Sequence, residues 1–177
     1  MENVRRAAEF ARKKHEGQKR KYTGEPYINH CRSVANQVAM VTNNQDMICA
    51  AWLHDTIEDT STTAMELNEL FGPRITQLVV ELTDQYTLFR DGNRAMRKQK
   101  ECQRLSKISP EAQTIKLADL IDNTKSIVER DPEFAKVYLK EKENVLKVLT
   151  KGDSGLYEMA MISLNQGLNK IAGVAQR

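Results

Sequence analysis

An all-α fold is predicted, and three observations predict it. Gly and Pro are scarce, 8 and 4 in 177 residues, and aromatic residues make up only 6%, which leaves little material for the many turns of a β fold. Apolar residues recur at three- and four-residue spacing, as in Ile75, Leu78, Val79 and Leu82. Helix-start signals recur as well: Ser109-Pro110-Glu111 and Asp131-Pro132-Glu133 each offer a capping side chain, a proline at the first helical position and an acid in the first turn. The length suits one domain, residues 1–177, with room for a real core. The expected architecture is a compact single-domain bundle of roughly eight to ten helices.

Taken in order, the first helix is expected over Glu2–Glu16, with Asn3 as a candidate cap and Val4, Ala7, Ala8, Phe10 and Ala11 as its apolar stripe; Gly17 stops it. The following loop carries Lys19, Arg20 and Lys21. Three adjacent cations on a loop are most often solvated; the sharper alternative is an arm that grips phosphate. A second helix starts around Tyr27-Ile28-Asn29-His30 and runs to about Val41, with Val34, Val38 and Val41 on its inner face, before Asn43-Asn44 breaks the chain. The third opens as an apolar run, with Ile48, Ala51, Trp52 and Leu53 able to face a core, and ends in His54-Asp55-Thr56-Ile57-Glu58-Asp59. Ser61 or Thr62 is expected to cap a short helix through Phe71, which Gly72-Pro73 ends, and the next helix runs from about Arg74 to Asp84.

The segment from Tyr86 to Lys107 is long and polar, with Arg90, Arg94, Arg97, Lys98, Lys100, Arg104 and Lys107 among few apolar anchors. It is either an exposed helix or a basic wall for an anionic ligand. Ser109 starts a helix that includes Thr114 to Lys125; Asp131 starts one to about Thr150; Gly152-Asp153-Ser154 starts the last, to about Ala172. There is no internal repeat and no low-complexity tract.

A net charge of +3 is too small to argue for nucleic acid, and no apolar run approaches the length of a membrane span. Cys31, Cys49 and Cys102 are odd in number and match no CxxC spacing, and no signal peptide is present. They are expected to be reduced thiols in a cytoplasmic protein.

The chemistry concentrates at His54-Asp55. If the helix continues, His54 neighbours Glu58, and Asp55 neighbours Glu58 and Asp59. Titratable groups this dense behind an apolar run are costly to bury unless something pairs with them, and a divalent cation is a natural partner for imidazole and carboxylate. An acidic cluster at a helix end is, however, usually just solvated. His30 opens the second helix, and Asp119 falls at an otherwise apolar position between Leu117-Ala118 and Leu120-Ile121. His30 could be an ordinary helix-start residue, and Asp119 could pair with Lys116 or Lys125. Together the four can supply a metal's ligands and leave positions open.

His30, His54-Asp55 and Asp119 resemble the H…HD…D pattern of HD-domain metal-dependent phosphohydrolases. The words His15-Glu16-Gly17-Gln18, Gly24-Glu25-Pro26-Tyr27-Ile28-Asn29-His30, Leu53 to Thr60, Leu70-Phe71-Gly72 and Lys116-Leu117-Ala118-Asp119 narrow the resemblance. They are similar to the hydrolase domain of RelA/SpoT enzymes, and in particular to stand-alone small alarmone hydrolases such as the metazoan SpoT homologue. The resemblance implies an all-α HD-type bundle in which His30, His54, Asp55 and Asp119 hold one Mn²⁺ per chain. It implies that Glu58 and Asp59 position and deprotonate the attacking water, and that Asn123 lies near the scissile phosphate. Arg20 and Lys21 would contact base and phosphates, and Tyr138 would line the nucleotide pocket. Two departures stand out. Cys31 follows His30 where the family usually has Pro, and is read as core. Leu120-Ile121-Asp122 replaces a basic residue and a bulky aromatic or His, and Asp122 is therefore expected to bear on base recognition.

The implied activity is 3′-pyrophosphohydrolysis of magic-spot nucleotides, (p)ppGpp to GDP or GTP and pyrophosphate. The Asp122 departure motivates an alternative, hydrolysis of (p)ppApp or another 3′- or 2′-phosphorylated nucleotide of the NADPH type. A reading of another class, a catalytically silent alarmone sensor or antitoxin-like partner, is disfavoured by the complete ligand set and the intact Glu-Asp pair. The partner expected is the nucleotide, with neither nucleic acid nor membrane; a homo-oligomer is left open.

Overall fold

The computed structural model describes residues 2–174. Over them the chain forms α1 (Glu2–Lys14), α2 (Ile28–Val41), α3 (Gln45–Leu53), α4 (Thr56–Asp59), α5 (Ala64–Phe71) and α6 (Pro73–Leu82). Then come α7 (Leu88–Asp91), α8 (Arg94–Leu105), α9 (Pro110–Arg130), α10 (Pro132–Leu146) and α11 (Ser154–Val174). No strand forms among the described residues; a lone antiparallel bridge joins Lys19 to Pro26 across the basic loop. The all-α expectation holds, with more helices than anticipated. The third expected helix breaks into α3 and α4, and the polar segment divides into α7 and α8.

Local chemistry accounts for most of the ends. Ser109 accepts from Ala112 N and Asp131 from Phe134 N, each with proline at the first helical position, as anticipated. Asn44 caps α3 by accepting from Asp46 N and Met47 N. Two cap assignments change. Asn3 lies inside α1 and accepts from Arg6. The α5 cap is Thr63, not Ser61 or Thr62: Thr63 Oγ1 accepts from Glu66 N at 3.1 Å, while the Thr60 and Thr62 hydroxyls bond each other. Gly17, with φ 79°, turns the chain out of α1 in the left-handed region that favours glycine. Thr150, expected in α10, lies beyond its end at Leu146.

α9 is the element the others pack around, touching α2, α3, α6, α10 and α11. Its Ile115, Leu117, Ala118 and Leu120 are buried against Val34 and Val38 of α2, Leu53 of α3 and Leu78 of α6 within one continuous core. That leaves Asp119 nowhere to point but inward. Polar side chains near the start of α9 also fix the α10–α11 loop. Gln113 Oε1 accepts from Lys151 N at 2.8 Å and Thr114 Oγ1 accepts from Asp153 N at 2.9 Å. The loop lies so close that a Cβ on Gly152 would fall 2.8 Å from Leu117 Cδ1 and 3.1 Å from the Gln113 and Thr114 backbone. Cys31 and Cys49 are fully buried; burial pushes the Cys31 thiol well up and Cys49 to about 11, so both act as small apolar groups. No helix is long and apolar enough to cross a membrane among the described residues.

Candidate metal centre and its cavity

The helix stops where its side chains take over the backbone's partners. His54 Nδ1–H donates to the Ala51 carbonyl at 2.8 Å, and Thr56 Oγ1–H donates to the Leu53 carbonyl at 2.7 Å. A continuing helix would use those carbonyls itself. Asp55 sits at φ −98°, ψ −2°, in the sparsely populated bridge region, and α4 restarts behind it. The expected continuous helix is therefore corrected. Glu58 turns toward the loop after α6, where its Oε2 accepts from Asp84 N at 2.9 Å.

Three of the four predicted ligands form a group that could hold an ion, and Asp119 of α9 lies beside its two histidines. His30, His54 and Asp55 each place a ligand atom within 4.8 Å of the others. Asp119 Oδ1 lies 3.2 Å from His30 Nε2 and 3.9 Å from His54 Nε2, and Asp55 Oδ2 lies 3.0 Å from His54 Nε2. Second partners orient every ligand. His30 Nδ1–H donates to Asp122 Oδ2 at 2.6 Å, Tyr27 OH donates to Asp55 Oδ2 at 2.7 Å, and Asn123 Nδ2 and Lys116 Nζ donate to Asp119. With both Nδ1 atoms committed as donors, the two Nε2 atoms face each other at 3.2 Å. Two lone pairs so close, ringed by carboxylates, require a proton or a cation between them.

The acidities follow the same logic. Burial alone would keep His30 neutral, yet hydrogen bonds to Asp119, Asp122 and Asp55 hold its pKa well above the usual imidazole value. Burial likewise works against the Asp55 and Asp119 carboxylates, but His54 and His30 beside the first, and Lys116 and His30 beside the second, hold both below the usual range. A set of imidazoles and carboxylates with fixed tautomers and second partners fits a divalent cation. The same groups hold protons that a metal would displace.

Beyond the ligands lies a cavity of about 240 Å³ whose walls include Asp55, Glu58, Asp59, Asp119, Asn123 and Tyr138. Glu58, exposed as a residue but with its carboxyl turned against the protein at the Asp84 backbone, is raised to about 7, chiefly by desolvation and then by the Asp84 and Asp55 charges, with its bond to the Asp84 backbone pulling the other way. Asp59 is exposed and accepts from Gln18 Nε2 at 3.1 Å; Gln18 Oε1 in turn accepts from His15 Nδ1 at 2.6 Å. Arg20 lies against α9, donating to Asn123 Oδ1 at 3.1 Å, Ser126 Oγ at 2.9 Å and Asp122 at 3.0 Å. Lys21 Nζ lies over the Tyr22 and Phe134 rings, and neither Arg20 nor Lys21 is among the residues lining this cavity. Tyr138 OH is 3.4 Å from Thr124 Oγ1.

Asp122 faces His30 and Arg20, so it supports both a candidate metal ligand and one of the cations expected to contact base and phosphates. Of the two readings of the polar segment, the structure weakens the basic wall. The basic wall is largely neutralised: Arg94 pairs with Glu141, Lys98 with Asp84, Lys100 with Asp91 and Arg104 with Glu101. Of these cations only Lys98 lines the cavity. Sequence reasoning missed the roles of Gln18 and Tyr27, although both fall in words that carried the resemblance.

An HD-domain family model matches residues 7–151, and the chain belongs to the HD-domain family. Within that family it is similar to guanosine-3′,5′-bis(diphosphate) 3′-pyrophosphohydrolases. The human protein MESH1 is 39% identical over 130 residues, covering 72% of this chain and 70% of that one. The enzyme of that name from Aquifex aeolicus is 40% identical over 126 residues, which are 71% of this chain but only 18% of the longer relative. The solved structure of a metazoan ortholog of SpoT, described as hydrolysing ppGpp and acting in starvation responses, superposes with a TM-score of 0.84 at 27% identity. It covers 93% of this chain and 94% of its own. A Listeria monocytogenes protein of 22% identity shares the fold at a TM-score of 0.65, over 81% of this chain and 96% of its own.

Proposed function

We propose that this chain is a Mn²⁺-dependent 3′-pyrophosphohydrolase of magic-spot nucleotides, converting (p)ppGpp and water to GDP or GTP and pyrophosphate. The observation that carries the reading is the four-ligand cluster of His30, His54, Asp55 and Asp119 opening on the same cavity as Glu58 and Asp59. The likeness to named enzymes of this activity supports it. In this reading residues 1–177 act as one domain in the cytoplasm.

The four ligands would hold the ion, which when bound supplies Lewis-acid charge and brings the acidity of water toward neutrality. Glu58 and Asp59 orient the attacking water and accept its proton; a carboxyl near 7 is matched to that task at neutral pH. The new bond forms between the water oxygen and the phosphorus on the 3′ oxygen, the bond from that phosphorus to the 3′ oxygen breaks, and the 3′ oxygen leaves as a hydroxyl by taking the proton that the carboxylates accepted from the water. Asn123, on the cavity wall, and Arg20, which it bonds, are assigned to phosphoryl oxygens in this reading, Arg20 exchanging its present partners for them. Lys21 and Tyr138 flank the nucleotide.

The reading is tested by incubating protein with ppGpp, pppGpp, ppApp, NADPH and GTP, with and without Mn²⁺, and separating products by anion exchange. Loss of ppGpp with matching GDP and pyrophosphate, only with metal, is expected. Glu58→Gln is expected to lower kcat by about 10²–10⁴-fold. Bound metal and bound ppGpp without turnover would instead identify a sensor. The departure at Asp122, which holds His30 and Arg20, keeps an adenine or NADPH-type substrate as the second reading, and side-by-side kcat/KM values on the guanine and adenine substrates of the panel decide between them.

A further inference from the structure

The cavity has a charge problem for a polyanionic ligand. Seven carboxylates and three lysines line it. Lys98 Nζ lies 3.0 Å from Asp84 and Lys116 Nζ lies 2.8 Å from Asp119, so two of the three are already paired. The third, Lys142, is different. It is only 1% exposed, and its Nζ donates to Thr124 Oγ1 at 2.8 Å. Among the described residues no carboxylate lies within ion-pair reach of it. Thr124 cannot satisfy it further, since the threonine's own proton goes to the Leu120 carbonyl at 2.6 Å. The remaining donors of the amine have no partner among the described residues.

A buried amine without a counter-charge is costly, and proteins seldom keep one without use. Its place gives the use. Lys142 lies one helical turn beyond Tyr138 on α10, across the cavity from the metal ligands on α2, the α3–α4 turn and α9. We propose that Lys142 is a binding residue of this site, donating to the 5′-diphosphate arm of a nucleotide whose 3′ arm lies at the metal cluster. The proposal rests on the nucleotide-hydrolase reading above.

Charge state agrees with this placement. Burial lowers the amine to about 7, with no nearby charge offsetting it. Around it, Glu101 of α8 is taken by Arg104, Glu141 of α10 by Arg94, and Asp119 of α9 by Lys116. Glu58 and Asp84 lie on the α4 and α6 side, and α11 contributes no side chain to the cavity. An arriving diphosphate supplies the missing counter-charge and favours the ammonium form. Affinity for that arm should therefore fall as pH rises through 7.

The test is calorimetric binding of GDP and of guanosine to the full, Mn²⁺-loaded chain, wild type and Lys142→Met, at pH 6, 7 and 8. Loss of a charge-assisted contact is expected to weaken GDP by about tenfold or more at pH 6. Guanosine should change less than twofold, and the decline in GDP affinity with pH should be confined to the wild type. Lys142→Gln, which keeps a donor, serves if the methionine variant does not fold. Wild-type GDP affinity in the variant, an equal loss for guanosine, or no GDP binding by the wild type overturns the proposal. Turnover of ppGpp is followed in the same samples. GDP bound through Lys142 without ppGpp turnover removes the hydrolase reading and keeps the anion site.

Discussion

Asp122 shows how one carboxylate can serve two neighbours. Its Oδ2 takes the His30 Nδ1 proton and the Arg20 guanidinium, so a metal ligand and a phosphate-facing cation share one support. Partners of this kind fix the ring's tautomer and orientation. Asp122→Asn is expected to weaken Mn²⁺ binding by about 10–100-fold in a metal titration. A variant that binds Mn²⁺ like the wild type would remove that role. Lys142 makes an opposite kind of prediction. Its folded value of about 7 lies below the usual lysine value of 10.5, so between those limits the unfolded chain binds more protons. Its contribution thus makes stability rise with pH across that window. Lys142→Met removes the rise, so the variant's gain in melting temperature should be larger at pH 6 than at pH 9.

At the scale of elements, the ends that sequence discloses are those with their own capping chemistry. Ser109-Pro110 and Asp131-Pro132 start helices where anticipated. Ser109→Ala should cost about 1 kcal/mol in denaturant unfolding, with activity retained. Gly152→Ala should cost about 1–3 kcal/mol, because the new methyl meets the α9 backbone, which cannot step aside. The break between α3 and α4 was not legible. It depends on His54 and Thr56 bonding backward to carbonyls, and a histidine or threonine at such a position bonds outward as readily. The four ligand candidates came from the resemblance to the H…HD…D pattern; residue chemistry alone left His30 an ordinary helix-start residue and Asp119 a partner for Lys116, a pairing that does form. Asp122, Tyr27 and Gln18 were not legible, since their roles arise only from α2, α9 and the first loop meeting in space. The choice between an exposed helix and a basic wall stayed open for the same reason: Arg94 finds Glu141, 47 residues away.

Over the whole molecule, the centre joins parts of the chain that are otherwise held by apolar packing. Any ligand of the folded state alone raises stability by mass action. Mn²⁺ at about a hundred times its dissociation constant should raise the melting temperature by about 5–10 °C, and a chelator should reverse the shift. Affinity should grow as pH rises, because the ion competes with protons on His30. Calorimetric scans with and without chelator at two pH values check both points.

The supports of that centre span great lengths of chain, His30 and Asp122 lying 92 residues apart. The ligand set therefore needs α2, α3 and α9 docked, and we expect that docking to come late on the route to the native state. An ion captured at that stage cannot hasten the search that precedes it; it slows the way out. Stopped-flow measurements should find refolding rates nearly indifferent to Mn²⁺ and unfolding rates strongly reduced by it, so that the metal sets how long a molecule lasts rather than how fast it forms.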